Sequence, residues 1–318
     1  MEFQQQGYLG SSSLTSLKQD DPSPTLTYHK KNTHEVEIIK KISSSKFPIY
    51  LCVFPETNTY VYLKCYPYVN DKVSPYYIRE ARFKNFNHPN ILAIHSADAN
   101  YEFVSDPRKT HWSYILMEET TYGSLYSCIV SGLLPNDEKI TRTYFHQLVQ
   151  GIEYLHSRKI AHSDLKLENI YIGKDYTLKI GNFMHSQVHN EAPLPNKYTD
   201  GYKAPEVRNN ECQNPLAADI YSVGVILFIL KFRKFPCLES LMASGKVKEC
   251  WMALYKMYSA QDQPADPGFE VLLMDLVNPD PSKRPKAEDI KTYKWYQGPV
   301  YSFGELASPL KVLKPCDR

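Results

Sequence analysis

The stretch His162-Ser163-Asp164-Leu165-Lys166-Leu167-Glu168-Asn169, followed by Leu178-Lys179-Ile180-Gly181-Asn182-Phe183-Met184, decides the fold of this chain. The residues before it, from Ile140 to Ser157, carry apolar side chains at helical spacing. This spacing predicts a helix that leads directly into a loop rich in charged and amide side chains. The polar residues of the two stretches are therefore the first candidates for a functional site.

The two stretches resemble the catalytic loop and the metal-binding turn of protein kinases, whose motifs run H-R-D-L-K-x-x-N and then D-F-G. The resemblance implies that Asp164 is the catalytic base, that Lys166 faces the phosphates and that Asn169 is a metal ligand. Thr199 would complete the arrangement, and a lysine at position 166 is typical of serine/threonine kinases. The alternative is that Asp164 and Asn169 only form hydrogen bonds within the loop, which an inactive kinase would also need.

Three residues depart from the kinase pattern. Asn182 stands where the family has the aspartate that holds magnesium, so Asn169 and Asn182 would be the ligands of a metal site without a carboxylate. Met184 replaces the last glycine of the turn and removes its backbone freedom. Ser163 replaces the arginine that receives a phosphorylated activation loop. These changes predict phosphoryl transfer that is weak or lost.

The nucleotide-binding residues of the family have counterparts in the first third of the chain. Val61 to Lys64 resembles V-A-I-K, which implies that Lys64 pairs with phosphates and with Glu80 of the regulatory helix. Met117 falls at the gatekeeper position, and Glu118 begins the hinge between the lobes. The glycine-rich loop aligns with three positions that hold other residues here: Ser43, Ser45 and Pro48. We interpret this loop as an ordinary turn, because only glycine allows the close backbone approach that phosphates need.

Three tyrosines align with positions around the adenine ring. Tyr50 replaces the valine above the ring, Tyr62 replaces a small alanine, and Tyr171 replaces the leucine below. Phenol rings bury more area than the residues they replace, so our hypothesis is that these three rings stack and fill the nucleotide pocket. The alternative is that the rings point elsewhere.

The other motifs of the family follow in the expected order. They comprise a helix from Pro75 to about Phe86, a strand from Ser113 to Glu118, the activation-segment motif ending at Glu206, the start of the central helix at Asp219, and Arg284 as the ion-pair partner of Glu206. The resemblance predicts an α+β fold, the bilobal protein kinase fold, with a small antiparallel β lobe and a large α-helical lobe. His162 and Phe183 would stack in its column of hydrophobic residues. The end of the domain looks more like calcium/calmodulin-type or AMP-activated-type kinases than tyrosine kinases.

The predicted domain boundaries follow the motifs and the composition. Residues 1–35, rich in Gln, Ser, Asp and Pro, read as a disordered tail. Residues 36–117 form the N-lobe, residues 118–297 form the C-lobe, and residues 298–318 are expected to be a loosely attached C-terminal tail.

Composition limits the partners and the compartment. The 37 Lys and Arg residues nearly balance the 35 Asp and Glu residues, so charge gives no argument for nucleic-acid binding. The 7 cysteines lack paired spacing and are typical of reduced thiols in a cytoplasmic or nuclear protein. The longest apolar stretch, Val223 to Leu230, is too short for a membrane span.

Three functions are compatible with this sequence. The leading hypothesis is a catalytically impaired pseudokinase that binds another protein, such as an active kinase or its substrate, and needs no cofactor. The second is a divergent serine/threonine kinase that uses ATP and Mg²⁺ to phosphorylate protein substrates. The third is a metal-independent nucleotide binder whose occupancy switches conformation.

Overall fold

The computed structural model describes residues 36–43, 46–102, 111–188, 191–192, 198–236, 246–262 and 266–316. The region before residue 36, where the sequence predicts a disordered tail, lies outside the described residues. Within these ranges the predicted bilobal α+β kinase fold is confirmed: an antiparallel sheet forms a small lobe, and helices form a large one.

The small lobe is a five-stranded antiparallel sheet in the order β1-β2-β3-β5-β4. Its strands are β1 (Glu37–Ser43), β2 (Ile49–Phe54), β3 (Thr59–Pro67), β4 (Ile94–Glu102) and β5 (His111–Glu118). One face covers a small apolar cluster around Cys52 and Leu63, and the other faces the main core. Because strand side chains alternate, neighbouring residues of β2 and β3 belong to different faces.

Helix α1 (Pro75–Ala81) packs beside this sheet and continues as a 3₁₀ turn (Arg82–Asn85). Pro75 at the first helical position is compatible with the helix, because its missing N–H would have no intrahelical partner there. The predicted helix up to about Phe86 is therefore present, with a tighter final turn. Its buried face carries Tyr77, Arg79 and Glu80.

The large lobe is organised around two helices. The first helix after β5 is the short α2 (Leu125–Val130). Helix α3 (Glu138–Ser157) starts at Asp137, whose carboxylate accepts a hydrogen bond of 2.7 Å from the backbone N–H of Ile140.

Helix α5 (Pro215–Phe232) follows the short α4 (Pro205–Arg208) and is apolar on all sides. Of the helices that the structure describes, α5 alone is long and apolar enough to cross a membrane, but 83% of this stretch is buried inside the protein. Such burial is typical of a core helix.

Short strands between α3 and α4 shape the loop that carries the candidate site. Strand β6 (Ile160–Ala161) pairs with β9 (Gln187–Val188), and β7 (Ile170–Ile172) pairs with β8 (Leu178–Ile180). The two pairs hold the segment 162–169 between them. The last described helices, α6 (Val247–Asp262), α7 (Pro267–Leu276) and α8 (Phe303–Leu310), pack around α5 and α3 or close the C-terminal end.

The expectation of a loosely attached tail after residue 297 is wrong. The segment contains α8, and Leu306, Leu310 and Leu313 are buried against the large lobe. The segment then reaches the hinge, where the backbone N–H of Cys316 donates a hydrogen bond of 2.8 Å to the carbonyl of Thr121. Burial of these leucines removes apolar area from water, which holds the segment in place.

The predicted ion pair between Glu206 and Arg284 is present and buried. Arg284 Nη1 lies 2.6 Å from Glu206 Oε1, and Nη2 lies 2.8 Å from Oε2. The guanidinium also donates to the carbonyls of Ala217 and Asn278. This fork-to-fork pair fixes the end of the activation segment to the large lobe.

We expect Arg284→Ala to lower the free energy of unfolding by about 3–5 kcal/mol, because it leaves a buried carboxylate without its cation. Urea unfolding followed by tryptophan fluorescence measures the change. Lys283→Ala is the matched control, since Lys283 is 70% exposed. Equal stabilities for the two variants would show that the buried pair does not hold this region.

Candidate active site

A cavity of about 420 Å³ lies between the sheet and the large lobe, at the position predicted for the nucleotide. This volume is within the usual range for small-molecule sites. Five of the predicted nucleotide-binding residues line it: Tyr62, Lys64, Glu80, Met117 and Tyr171. The other two, Tyr50 and Glu118, do not line this cavity.

The prediction for Tyr50 is wrong by one strand position. Tyr50 pairs with Leu63 across the sheet and packs on the outer apolar cluster. Its neighbours Ile49 and Leu51 reach the cavity instead. The side chains alternate along β2, so an alignment shifted by one residue selects the opposite face.

The Glu118 side chain is directed to the back of the hinge. Its carboxylate accepts a hydrogen bond of 2.7 Å from the backbone N–H of Ala93 and lies 3.0 Å from Lys179 Nζ. Glu119 and Thr120, the next two residues, line the cavity. The hinge is therefore at the predicted place, but the Glu118 side chain does not contribute to the cavity lining.

The hypothesis that three tyrosines fill the pocket is wrong, because the cavity stays open beside Tyr62 and Tyr171. Tyr171 forms part of the floor under Gly181, where an added Cβ would lie 3.1 Å from the tyrosine ring. Burial raises the pKa of Tyr171, and the negative charge of Glu80 adds to this effect. The phenol of Tyr171 therefore lines the cavity as a neutral group at physiological pH.

Lys64 forms the ion pair that the sequence predicts. Its Nζ lies 2.7 Å from Glu80 Oε2, and both side chains are buried. The phenol of Tyr66 donates a second hydrogen bond to the same carboxylate. The pair joins β3 to α1 and holds α1 against the cavity.

A chain of hydrogen bonds runs from Lys64 through two asparagines to the predicted base. Lys64 Nζ donates to Asn182 Oδ1 at 2.9 Å, and Asn182 Nδ2 donates to Asn169 Oδ1 at 2.8 Å. Asn169 Nδ2 in turn donates to the backbone carbonyl of Asp164 at 2.7 Å and to its carboxylate at 3.1 Å. Asn182 also adopts the left-handed conformation, with φ of 62°, which asparagine tolerates better than most residues.

This chain explains why an amide suits position 182. An amide can accept a hydrogen bond from Lys64 and at the same time donate one to Asn169, whereas an ionised carboxylate at this position has no donor. The substitution therefore exchanges a metal ligand for a link between two protein side chains.

The residues at the predicted metal site do not fit Mg²⁺. Magnesium binds hard oxygen ligands in octahedral geometry, and proteins usually hold it through one or two carboxylates. The oxygens of Asn169 and Asn182 are neutral and already accept hydrogen bonds, and the Lys64 ammonium lies beside Asn182. Among the residues that the structure describes, His, Cys, Asp and Glu side chains form no group of three or more that could hold a metal ion.

The predicted catalytic residues lie together below the cavity. The Thr199 hydroxyl donates to Asp164 Oδ1 at 2.8 Å, and Lys166 Nζ donates to the Thr199 oxygen at 2.8 Å. Lys166 Nζ is also 3.5 Å from Asp164 Oδ2. Asp164, the predicted base, therefore has one carboxylate oxygen that accepts a hydrogen bond from the Thr199 hydroxyl.

His162 and Phe183, which the sequence predicts to stack, are in contact with ring centroids 5.3 Å apart, but their planes are tilted by 58°. Phe83, which the sequence did not indicate, stacks on the other side of Phe183 at 3.9 Å and 10°. The column joins the 3₁₀ turn after α1 to the loop of the site. Its continuity fixes Phe183 inside the core, where it is 1% exposed.

The turn between β1 and β2, which aligns with the glycine-rich loop of kinases, has a different structure here. Ser43 ends β1, Pro48 precedes β2, and Ser45 lies outside the described residues. Phe47 turns inward, lines the cavity and packs on Tyr66 at 4.8 Å and Tyr76 at 5.2 Å. An aromatic ring thus forms part of the wall where phosphates would be expected.

Sequence reasoning missed an ion-pair cluster that fixes the activation segment. Both guanidinium nitrogens of Arg82 lie 2.9 Å from the Glu191 carboxylate, and Arg79 Nε lies 3.6 Å from it. Arg79 also donates to the carbonyls of Ser186 and Ala192. Hydrogen bonds from Arg82 hold the pKa of Glu191 below its ordinary value. The signal in the sequence is a pair of arginines close to Glu80, with Arg79 at the end of α1 and Arg82 at the start of the 3₁₀ turn.

The comparisons with known proteins agree with this geometry. The model of the protein kinase domain matches residues 28–296. CBL-interacting protein kinase 26 of Oryza sativa subsp. japonica is 31% identical over 217 residues, covering 66% of this chain and 40% of that protein. CBL-interacting serine/threonine-protein kinase 26 of Arabidopsis thaliana is 31% identical over 224 residues, covering 67% and 46%.

A more distant relative covers more of the chain. A probable serine/threonine-protein kinase of Dictyostelium discoideum is 24% identical over 318 residues, covering 92% of this chain and 44% of that protein. The chain spans less than half the length of each of these relatives. On the family match and these similarities, the chain belongs to the protein kinase superfamily and is of the serine/threonine type.

Proposed function

We propose that this protein is a pseudokinase, a kinase-fold domain that acts by binding another protein and has lost efficient phosphoryl transfer. The observation that carries the proposal is the hydrogen-bond chain Lys64-Asn182-Asn169-Asp164. In an active kinase, metal ions at this place bridge the phosphates and neutralise the charge that develops during transfer. Here both amide oxygens are engaged by side chains of the protein.

The affinity of this site for a divalent cation depends on the charge of its ligands. A carboxylate and a divalent cation attract each other far more strongly than an amide and the same cation, and transfer depends on that attraction. Lys64 cannot replace the metal, because its charge is already paired with Glu80 at 2.7 Å. The site keeps the shape of a kinase site while lacking its electrostatic driving force.

The surface around α1 and the activation segment supports a role in protein binding. Arg79 and Arg82 contact Ser186, Glu191 and Ala192 without a phosphate, so the described part of this surface is formed in the unmodified chain. The two plant relatives are called CBL-interacting kinases, which associates that part of the family with protein partners. For this chain we propose a protein partner, such as another kinase, in the cytoplasm or nucleus.

A second candidate is a divergent serine/threonine kinase that uses ATP and Mg²⁺. The contacts of Asp164 with Thr199 and Lys166 favour it, because they place the base and the neighbouring lysine as phosphoryl transfer would need. The absence of a carboxylate at Asn169 and Asn182 is evidence against this candidate. A single substitution can distinguish the pseudokinase from the active kinase.

We expect Asn182→Asp to restore magnesium-dependent binding of ATP, because it returns a charged ligand to the metal site. The measurement is the thermal unfolding midpoint with ATP, with and without Mg²⁺, since a ligand of the native state raises the midpoint. The unsubstituted protein should show no additional rise with Mg²⁺, and Asn182→Asp should show one. Asn209→Asp, at an exposed position, controls for the change in charge.

A phosphotransfer assay completes the test. The unsubstituted protein should transfer no labelled phosphate from Mg-ATP to serine or threonine peptides. Transfer that disappears in Asp164→Asn would overturn the proposal and establish the kinase candidate.

We also expect Glu191→Gln to loosen α1, because the amide loses the charge that pairs with Arg82 and Arg79. Backbone amides of α1 should exchange hydrogen roughly two- to fivefold faster, as for a partly exposed ion pair. The contribution of Glu191 is fully present above its ordinary pKa and is lost as the pH falls through its lowered pKa. The difference between the two proteins should therefore be present at neutral pH and disappear in acid.

Glu211→Gln, at an exposed position beyond α4, serves as the control for Glu191→Gln. Equal exchange in all three proteins would mean that the carboxylate of Glu191 does not hold α1.

A further inference from the structure

The C-terminal segment carries a cysteine to the hinge. The backbone N–H of Cys316 donates a hydrogen bond of 2.8 Å to the carbonyl of Thr121, and burial of Leu310 and Leu313 holds the preceding residues on the large lobe. Cys316 is exposed and lies at the edge of the cavity between the lobes. Its thiol is therefore held at a fixed place and remains open to solvent.

Gly123 makes room for the Cys316 sulfur. A Cβ atom added at Gly123 would lie 3.0 Å from Cys316 Sγ and 3.3 Å from the Ser127 hydroxyl oxygen. Gly123 also has φ of 71°, a conformation that residues with a side chain rarely adopt. The sulfur thus lies against the backbone of the hinge, beside the first turn of α2.

A second thiol approaches the hinge at the same place. Cys128, on α2, is 5% exposed, and its thiol donates a hydrogen bond of 3.3 Å to the carbonyl of Tyr122. Tyr122 and Gly123 share one peptide group, so the two sulfurs lie against the same part of the backbone. Burial, and to a smaller extent the charge of a Cys316 thiolate, raises the pKa of Cys128 to about 11. The charge effect is that of two thiols close to each other.

We propose that Cys128 and Cys316 are a redox pair, which a hydroperoxide oxidises to a disulfide that locks the C-terminal segment onto the hinge and α2. The Cys316 thiolate attacks the O–O bond of the hydroperoxide, which gives a sulfenic acid and releases an alcohol, or water when the oxidant is hydrogen peroxide. The sulfur of Cys128 then displaces the hydroxyl group as water, and the S–S bond forms. The two thiols lose two electrons and two protons, and the hydroperoxide takes them up.

The surroundings of the two cysteines give them different parts in this reaction. Cys316 is exposed and is the thiol that a peroxide reaches first, whereas Cys128 is buried. Because its pKa is raised, Cys128 stays protonated at neutral pH and reacts slowly with free peroxide. A sulfenic acid held beside it reacts faster, because the step is then intramolecular. The S–S bond requires sulfurs about 2 Å apart, and rotation of the exposed Cys316 side chain supplies this movement.

Peptide mass spectrometry without reduction tests the pair in the full chain. The reduced protein is treated with hydrogen peroxide, quenched with N-ethylmaleimide and digested. We expect a linked peptide that contains Cys128 and Cys316 and that dithiothreitol removes. Cys52 and Cys65, which are 0% and 1% exposed, should remain thiols, because neither is open to the oxidant. Linkage of Cys316 mainly to another cysteine or to a second molecule, or its conversion to sulfinic acid without linkage, would overturn the proposal.

Two variants assign the order of the steps. Cys128→Ala should leave a sulfenic acid at Cys316, which dimedone traps roughly fivefold more than in the unsubstituted protein. Cys316→Ser should leave Cys128 as a thiol. Cys250→Ser, on α6, is the matched control and should leave the linked peptide unchanged. Dimedone labelling of Cys128 in Cys316→Ser, equal to that of Cys316 in Cys128→Ala, would contradict the proposed order. The linked peptide of the unsubstituted protein decides the main question even if Cys128→Ala does not fold.

The lock itself is measured by thermal unfolding and hydrogen exchange. The disulfide closes a loop of more than a hundred residues, so oxidation should raise the unfolding midpoint by about 3–6 °C. Backbone amides of residues 311–316 should exchange hydrogen roughly tenfold more slowly in the oxidised protein, and Cys316→Ser should show neither change. A linked peptide with an unchanged midpoint and unchanged exchange would overturn the lock. Each of these results leaves the pseudokinase proposal as it is, because none of them depends on phosphoryl transfer.

Discussion

The candidate site depends on the hydrogen bonds between the loop that carries it and the buried carboxylate of Asp219 in α5. It accepts hydrogen bonds from the backbone N–H groups of His162 at 2.7 Å and Ser163 at 2.9 Å. A buried carboxylate is stable only when hydrogen bonds replace its hydration, and the loop supplies them. These hydrogen bonds fix the loop to the central helix. The hydrogen-bond chain from Asp164 through Asn169 and Asn182 to Lys64 starts from this fixed loop.

The fold and the chemistry of this site place different demands on position 182. The fold needs a small polar residue that tolerates φ of 62° and joins Lys64 to Asn169, and asparagine meets that need with hydrogen bonds of 2.9 and 2.8 Å. Metal binding needs a negative charge, which asparagine lacks. Loss of the charge therefore leaves the Lys64–Glu80 pair and the stacked column intact, so retained kinase geometry is poor evidence for turnover.

Motif order predicted the lobes, the ion pairs Lys64–Glu80 and Glu206–Arg284, and the loop of the site, because each depends on several residues at fixed spacing. The misassigned Tyr50 lies in β2, whose pairing with β1 contains register shifts that a linear alignment cannot show. The packing of the C-terminal segment was not predicted, because the burial of Leu306, Leu310 and Leu313 depends on the surface of the large lobe, which the sequence does not show. The open cavity depends on side-chain rotamers, which residue identity does not determine.

The Glu191 cluster was invisible in the sequence for a related reason: its partners, Arg79 and Arg82, are more than a hundred residues away along the chain. Its position gives meaning to Ser163, whose hydroxyl contacts Gln187 at 3.3 Å in place of a phosphate-binding arginine. In the described part of the segment, the Glu191 carboxylate contacts Arg79 and Arg82 in the unmodified chain, whereas a phosphate would do so only after modification. The described part of the segment is therefore held by the Glu191 ion pairs and by the contact between Ser163 and Gln187, and neither of these interactions needs a phosphate receptor.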